Sequence, residues 1–407
     1  MTAATLPDDL LAPELIQDPY PAYKRLRDEA PIHWSERHRS WLVTRYADVA
    51  AGMSDLRLSS DRVKPLLARM PADKRAASGG MLEQIAEWMV VSDPPAHTRL
   101  RKLATSAFHP KQVVAMEDRI REIVDDALDT FIASGSRDIV AGFAFPLPAT
   151  IISELIGAPY EDADRFQEWS DDLALVAFGA GGEQRAERHV RAQASIQAMF
   201  AYFQDLLEQR RADPGDDMVS ALLAGDGVHE PLTDAEITSM CALMLFAGHE
   251  TTTTTITSAV KLLLEHPDQR ALLEADPKLA GKTVEEVLRV EGAIKVLHRW
   301  ALEDVDLPSG AIPAGDRVLL IPAAANRDGR RFERPDAFDV TRQPNPHLAF
   351  GAGLHFCLGA PLARLELAEA YGALLRRAPD GLELAGPVVR RPGYQFRGLE
   401  SLPVRFR

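Results

Sequence analysis

Phe350-Gly351-Ala352-Gly353-Leu354-His355-Phe356-Cys357-Leu358-Gly359 is the stretch from which the rest of the chain is best read. Its first two glycines let the backbone turn tightly and come close to a flat ligand. A helical run, Leu358 to Arg376, follows at once and places Cys357 at a helix start. Free N–H groups and the helix dipole favour an anion there, an environment that lowers a thiol pKa. Gly359 leaves an unshielded N–H near the sulfur. The ordinary alternative is a buried structural cysteine beside a glycine turn. A zinc site has little support, because His355 alone lies nearby and no second cysteine stands at ligand spacing.

Working outward, the chain reads as helices separated by Pro- and Gly-marked turns. Trp41 to Thr44 and Tyr46 form a β-prone run. Asp93-Pro94-Pro95 precedes a basic helix from about His97 to Phe108. Ile151, Ile152, Leu155 and Ile156 make a helical apolar stripe that Gly157 and Pro159 close. Thr233 and Glu236 have capping-box spacing, and apolar residues continue from there to Leu264 before His266-Pro267. So long an apolar helix is expected to cross the core. Val284 to Val290 is a further helix, and Val318 to Ile321 a strand. The fold class is mainly α with a small β portion, and residues 1–407 are expected to form a single domain.

Composition narrows the function. A net charge of −14 argues against a general nucleic-acid binder. No apolar run reaches the ~18 residues of a membrane span, and Met1 to Asp9 does not read as a signal peptide, so a cytoplasmic location is expected. The only cysteines, Cys241 and Cys357, provide no disulfide framework.

Within the long helix stands Ala247-Gly248-His249-Glu250-Thr251-Thr252. Glycine followed by a run of threonines is poor helix material, and Thr251 can bond back to the Ala247 carbonyl. Packing is the commonest use of such a run. His249 points roughly opposite to Ala247 and Thr251, which suits a structural role. His249-Glu250 does not start a zinc-protease motif, since Thr253 occupies the position of the second histidine.

The ten-residue loop resembles the haem-binding signature of the cytochrome P-450 family, Phe-x-x-Gly-x-x-x-Cys-x-Gly, at every defined position. Ala360-Pro361-Leu362-Ala363-Arg364-Leu365-Glu366 extends the likeness toward the soluble bacterial members. The resemblance implies the cytochrome P-450 fold and haem b (iron protoporphyrin IX), with Cys357 as the axial iron ligand. Thiolate ligation in that family favours O–O cleavage. Phe350, Gly351, Gly359 and Ala247 would lie beside the haem. Glu250 with Thr251 resembles the family's acid–alcohol pair, which delivers protons during oxygen activation so that water leaves. His97 and Arg101 match its His-x-x-x-Arg propionate contact, and Arg299 and His355 match two more. Glu286 and Arg289 match the Glu-x-x-Arg pair, completed by Arg342 from the Pro-rich segment; these three are assigned to structure.

In relatives the pocket is lined by segments corresponding to Met81–Val91, Leu243–Ala247, Ile294–Leu297 and Tyr394–Phe396. These are mostly apolar here, which suits a mostly apolar small-molecule substrate. Lys295 and His298 are candidates to meet a polar group on it. No dinucleotide loop or cluster cysteines are present, so a separate ferredoxin or flavodoxin with its reductase is implied. Arg99, Lys102, His109 and Lys111 are candidates for its docking patch. The reaction expected is hydroxylation or epoxidation with O2. A peroxide-driven peroxygenase and a non-catalytic haem-binding or recruitment protein are the alternatives, and the intact Glu250-Thr251 pair speaks against both.

Overall fold

Thr233 caps the central helix, Asp234–Glu265, by accepting the Glu236 N–H, while the Glu236 side chain accepts the Thr233 N–H at 2.9 Å. This is the reciprocal capping box that the spacing predicts. The computed structural model describes residues 6–72, 75, 80–108, 110–177, 185–225, 227–378 and 381–406. The central helix is buried almost throughout. Helices Pro146–Ile156, Arg185–Ala212, Ala280–Glu291 and Ala360–Arg377 pack against it. Their apolar faces form one large cluster that includes Ile151, Ile152, Ile256, Val287 and Leu367. Burying such side chains contributes roughly 1.5–3 kcal/mol each.

The β portion lies to one side. Its five-stranded sheet runs in the order Ile32–Ser35, Ser40–Val43, Arg317–Leu320, Leu297–Ala301, Leu58–Ser59. Ser40–Val43 pairs in parallel with Arg317–Leu320, aligning Trp41 with Val318. Leu297–Ala301 pairs antiparallel with the same strand and sets Arg299 opposite Val318. The strand expected from Trp41 ends at Val43, and Tyr46 opens a helix, Tyr46–Ser54. Its hydroxyl donates to the Pro346 carbonyl at 2.7 Å, a tertiary bond that outweighs the β preference of tyrosine. Gly157 closes the Pro146–Ile156 helix with φ +96°, a conformation that glycine adopts without strain. Among the described residues no helix is long and apolar enough to cross a membrane.

Candidate active site

The cysteine loop folds back on itself before its helix starts. Gly351 and Gly353 take φ of +75° and +65°, which only glycine accepts readily. A Cβ on Gly353 would also stand 3.0 Å from the Ser54 backbone. The Cys357 N–H donates to the Phe350 carbonyl at 2.8 Å, closing the loop across the signature. The helix begins at Ala360, two residues later than expected, with Gly359 as its N-cap and Pro361 in its first turn. The Gly359 and Ala360 amides still hydrogen-bond toward the sulfur.

The expected lowering of the thiol pKa is corrected. Burial pushes the Cys357 thiol up, against the smaller opposing effects of the Gly359 amide, Arg101, Arg364 and the Ala360 amide. The reason is desolvation: protein atoms replace the water that would solvate a thiolate. An isolated sulfur anion is therefore costly in this pocket, and a metal bound to it would supply the missing stabilisation.

From Ile237 to Val260 the central helix is buried except at Ala247, Gly248 and Thr251. Ala247 and Thr251 share one helical face, so an interior opening is the simplest account of exposure in mid-core. The Thr251 hydroxyl donates to the Ala247 carbonyl at 2.8 Å, the back-bond that the sequence suggests. Opposite, His249 is buried with its ring 3.9 Å from that of Phe145. Burial pushes its pKa down to about 3, so the ring is neutral.

Glu250, itself buried, is turned away from the opening toward a partly exposed ion cluster. Arg391 donates to both of its oxygens at 3.2 Å and to Asp171 at 3.0 Å. Asp171 belongs to the helix Ala163–Ala177. Burial raises the Glu250 pKa to about 7; Arg391 pulls it down and Asp171 pushes it up. The acid thus titrates near neutrality. Sequence reasoning missed Arg391, because a contact across 141 positions leaves no local pattern.

The basic residues collect beside the cysteine loop. His97 is fully buried, its ring 4.2 Å from the His355 ring, and neither ring nitrogen has a hydrogen-bond partner. Burial, then the charge of Arg101, push His97 down to about 4. His355 falls to about 3 through burial and the charges of Arg299, His97 and Arg101. Arg299 falls to about 10, by burial and then by repulsion from Arg62. The nearby carboxylate, Asp93, is already engaged by the Ser59 hydroxyl and the Ser60 N–H. Buried donors and cations left unpaired are expensive, so this group is suited to an anionic ligand. Orphaned His97 nitrogens, nearby guanidinium groups and a thiol in a glycine cradle together fit a haem, whose iron Cys357 would hold and whose propionates the basic cluster would hold. A Cβ on Gly359 would meet nothing within 4 Å, which leaves room beside the sulfur.

Glu286 and Arg289 are completely buried and pair through two 2.8 Å bonds. Arg342 adds Nε bonds of 3.1 Å to both oxygens of Glu286. The Asp339 N–H and Asn345 amide complete the carboxylate, while Arg289 also donates to the Asn326, Pro335 and Ala337 carbonyls. The irregular Pro-rich segment is thereby tied at several points to one helix.

Other candidates fall away. Lys295 is buried against the Tyr20 hydroxyl, with Glu291 3.6 Å distant, so its ammonium is already occupied. His298 faces the Tyr394 hydroxyl at 3.3 Å and burial pushes its pKa to about 3, leaving no charge for a substrate. Arg99 is paired with Glu236 at the start of the central helix, which removes it from a free docking patch. Lys102 is exposed. His109 and the Lys111 side chain lie outside the described residues.

Comparison with known proteins bears on the family and the fold of the whole chain. The family model described as Cytochrome P450 matches residues 70–377. The cytochrome P450 monooxygenase PikC of Streptomyces venezuelae is 40% identical, over 98% of this chain and 93% of its own. The 6-deoxyerythronolide B hydroxylase of Saccharopolyspora erythraea is 39% identical, over 98% and 99% respectively. Among solved structures, P450BioI in complex with hexadec-9Z-enoic acid ligated acyl carrier protein superposes with a TM-score of 0.89. It is 37% identical and covers 97% of this chain and 100% of its own.

Proposed function

Because the chain belongs to the cytochrome P450 family and is a haem-thiolate monooxygenase, we propose that it inserts one oxygen atom from O2 into a mostly apolar small molecule, with Glu250 and Thr251 handling the protons. The observation that carries this reading is the accessible mid-core face of the central helix at Ala247 and Thr251, with the neutral-range acid Glu250 at the adjoining position, turned toward Arg391. Haem bound through Cys357 would supply dioxygen activation under thiolate ligation. His97, Arg101, Arg299 and His355 would hold its propionates, and Phe350, Gly351, Gly359 and Ala247 would flank it.

The chain's own residues then have distinct tasks. Thr251 presents a hydroxyl at the opening, its proton parked on the Ala247 carbonyl. Glu250, protonated below about pH 7, is the proton reservoir behind it. Arg391 holds the carboxylate until it is needed and links it to Asp171. Electrons would come from a separate ferredoxin or flavodoxin and its reductase, and the protein would act in the cytoplasm. Steady turnover of an apolar library member with ferredoxin, its reductase and NAD(P)H tests the whole reading. Product formed only with added peroxide would replace it by a peroxygenase.

Thr251→Ala is expected to retain haem while product per NAD(P)H falls roughly tenfold or more, the electrons leaving as hydrogen peroxide. Parallel assays of product, peroxide and NAD(P)H decide this; full coupling with a good substrate refutes the relay.

A pH effect follows from Glu250. Its folded pKa is raised from 4.5 to about 7, so the proton is present below that value and lost as pH rises through it. Coupling is therefore expected to decline on the alkaline side of pH 7. Arg391→Gln removes the cation that lowers the Glu250 pKa and should move this limb to higher pH. A limb that stays in place, or moves down, excludes Glu250 as its source. For stability the sign is the same: a neutral buried acid costs little, so this site destabilises the fold as pH rises from about 4.5 to 7.

A further inference from the structure

Glu285 and Glu286 are consecutive, yet they serve different structures. Glu286 turns inward to Arg289 and Arg342. Glu285 lies on the adjoining face of the same helix and accepts Arg364 Nε at 2.7 Å and a second guanidinium nitrogen at 3.0 Å. His347 Nε2 stands 3.1 Å from the second Glu285 oxygen. The other ring nitrogen, Nδ1, accepts the Ala349 N–H at 3.2 Å. An accepting Nδ1 places the ring proton on Nε2, so His347 donates to Glu285.

This ion group ends on the cysteine loop. The Arg364 guanidinium lies 4.6 Å from the centroid of the Phe350 ring, and the His347 ring is 5.9 Å from it. Phe350 is the first residue of the signature, and its carbonyl receives the Cys357 N–H. Arg364 also sits in the early part of the helix that Cys357 leads into, and its charge favours a negative sulfur. The guanidinium is bidentate to a carboxylate and stacked on an aromatic face, a geometry that lysine cannot reproduce.

We propose that Glu285, His347 and Arg364 are positioning residues that clamp Phe350 over the cysteine loop and set the reduction potential of the haem bound there, Arg364 and Glu285 acting with opposite sign. A cation near the sulfur draws electron density from it and favours the reduced, less positive iron. Glu285 offsets that cation, and His347 fixes Glu285. This inference rests on the family's haem-thiolate chemistry alone. It does not depend on the Glu250–Thr251 relay, and its readouts need no substrate.

The test uses the holoenzyme and three variants, Glu285→Gln, Arg364→Gln and Arg364→Lys. Two quantities are read: the haem midpoint potential by spectroelectrochemistry, and the half-life of the thiolate-ligated reduced carbon-monoxide complex. Glu285→Gln, which leaves Arg364 unbalanced, is expected to shift the potential upward; Arg364→Gln is expected to shift it downward. Both should shorten the half-life roughly fivefold, as loss of a partly exposed ion pair with its stacking contact suggests. Arg364→Lys keeps the charge, so its potential should stay near that of the parent while its half-life falls. Potentials that move in the same direction in both Gln variants, or not at all, overturn the electrostatic role. Unchanged half-lives overturn the clamp. Should Arg364→Gln fail to hold haem, Glu285→Gln and Arg364→Lys still separate charge from geometry.

Discussion

Cys357→His is expected to give a folded, haem-containing protein whose reduced carbon-monoxide spectrum is that of an imidazole-ligated haem, with monooxygenation lost. The loop makes this a clean exchange. Its turn is fixed by Gly351 and Gly353 and by the bond from the Cys357 N–H to the Phe350 carbonyl, none of which uses the sulfur. Cys357 retains some accessible surface although it lies deep, so the larger ring has somewhere to go. What disappears is the thiolate, and with it the electron push toward O–O cleavage. Since burial opposes the free thiolate, the parent sulfur depends on the metal for its charge; the neutral imidazole carries no such cost. An unaltered spectrum would show that another residue ligates the iron.

Glu286→Ala is expected to be the most destabilising single change on this side of the molecule. It removes the acceptor for Arg289, Arg342, Asn345 and the Asp339 N–H together, and leaves the Arg289 guanidinium buried without its carboxylate. Breaking a buried pair from one side costs about 3–5 kcal/mol. Against a total stability of about 5–15 kcal/mol, that is enough to leave much of the chain unfolded or without haem. Urea midpoints and the haem-to-protein ratio measure the effect. Glu286→Gln keeps the volume and part of the acceptor set and should fall between the two. A parent-like midpoint in Glu286→Ala would place the triad among weak, surface-type pairs.

Some of this is legible in the amino-acid sequence alone. The glycine–cysteine loop, the Thr233–Glu236 cap and the Glu286–Arg289 pair are local patterns, set by residues within one or a few turns. The Thr251 back-bond to Ala247 is of the same kind. Arg391, Glu285 and His347 carried no comparable signal. Their partners come from distant segments, and an arginine or glutamate on a helix looks alike whether it meets water or a buried counter-charge. Lys295 lies in a segment that the family resemblance sets along the pocket, yet the lysine is consumed by Tyr20 and Glu291, partners that no local pattern announces. The thiol pKa misled for a related reason: a helix start argues for an anion only while water still reaches the site.

The burial pattern of Asp234–Glu265 bears on how selectivity can drift without loss of the fold. Most positions on this rod are committed to neighbours, and the back of its weak turn is committed too: a Cβ on Gly248 would stand 3.0 Å from Ile152. The rod offers the reacting chamber a window, not a wall. New substrates must therefore be accommodated by remodelling other panels of that chamber, while the window stays glazed with the same small residues.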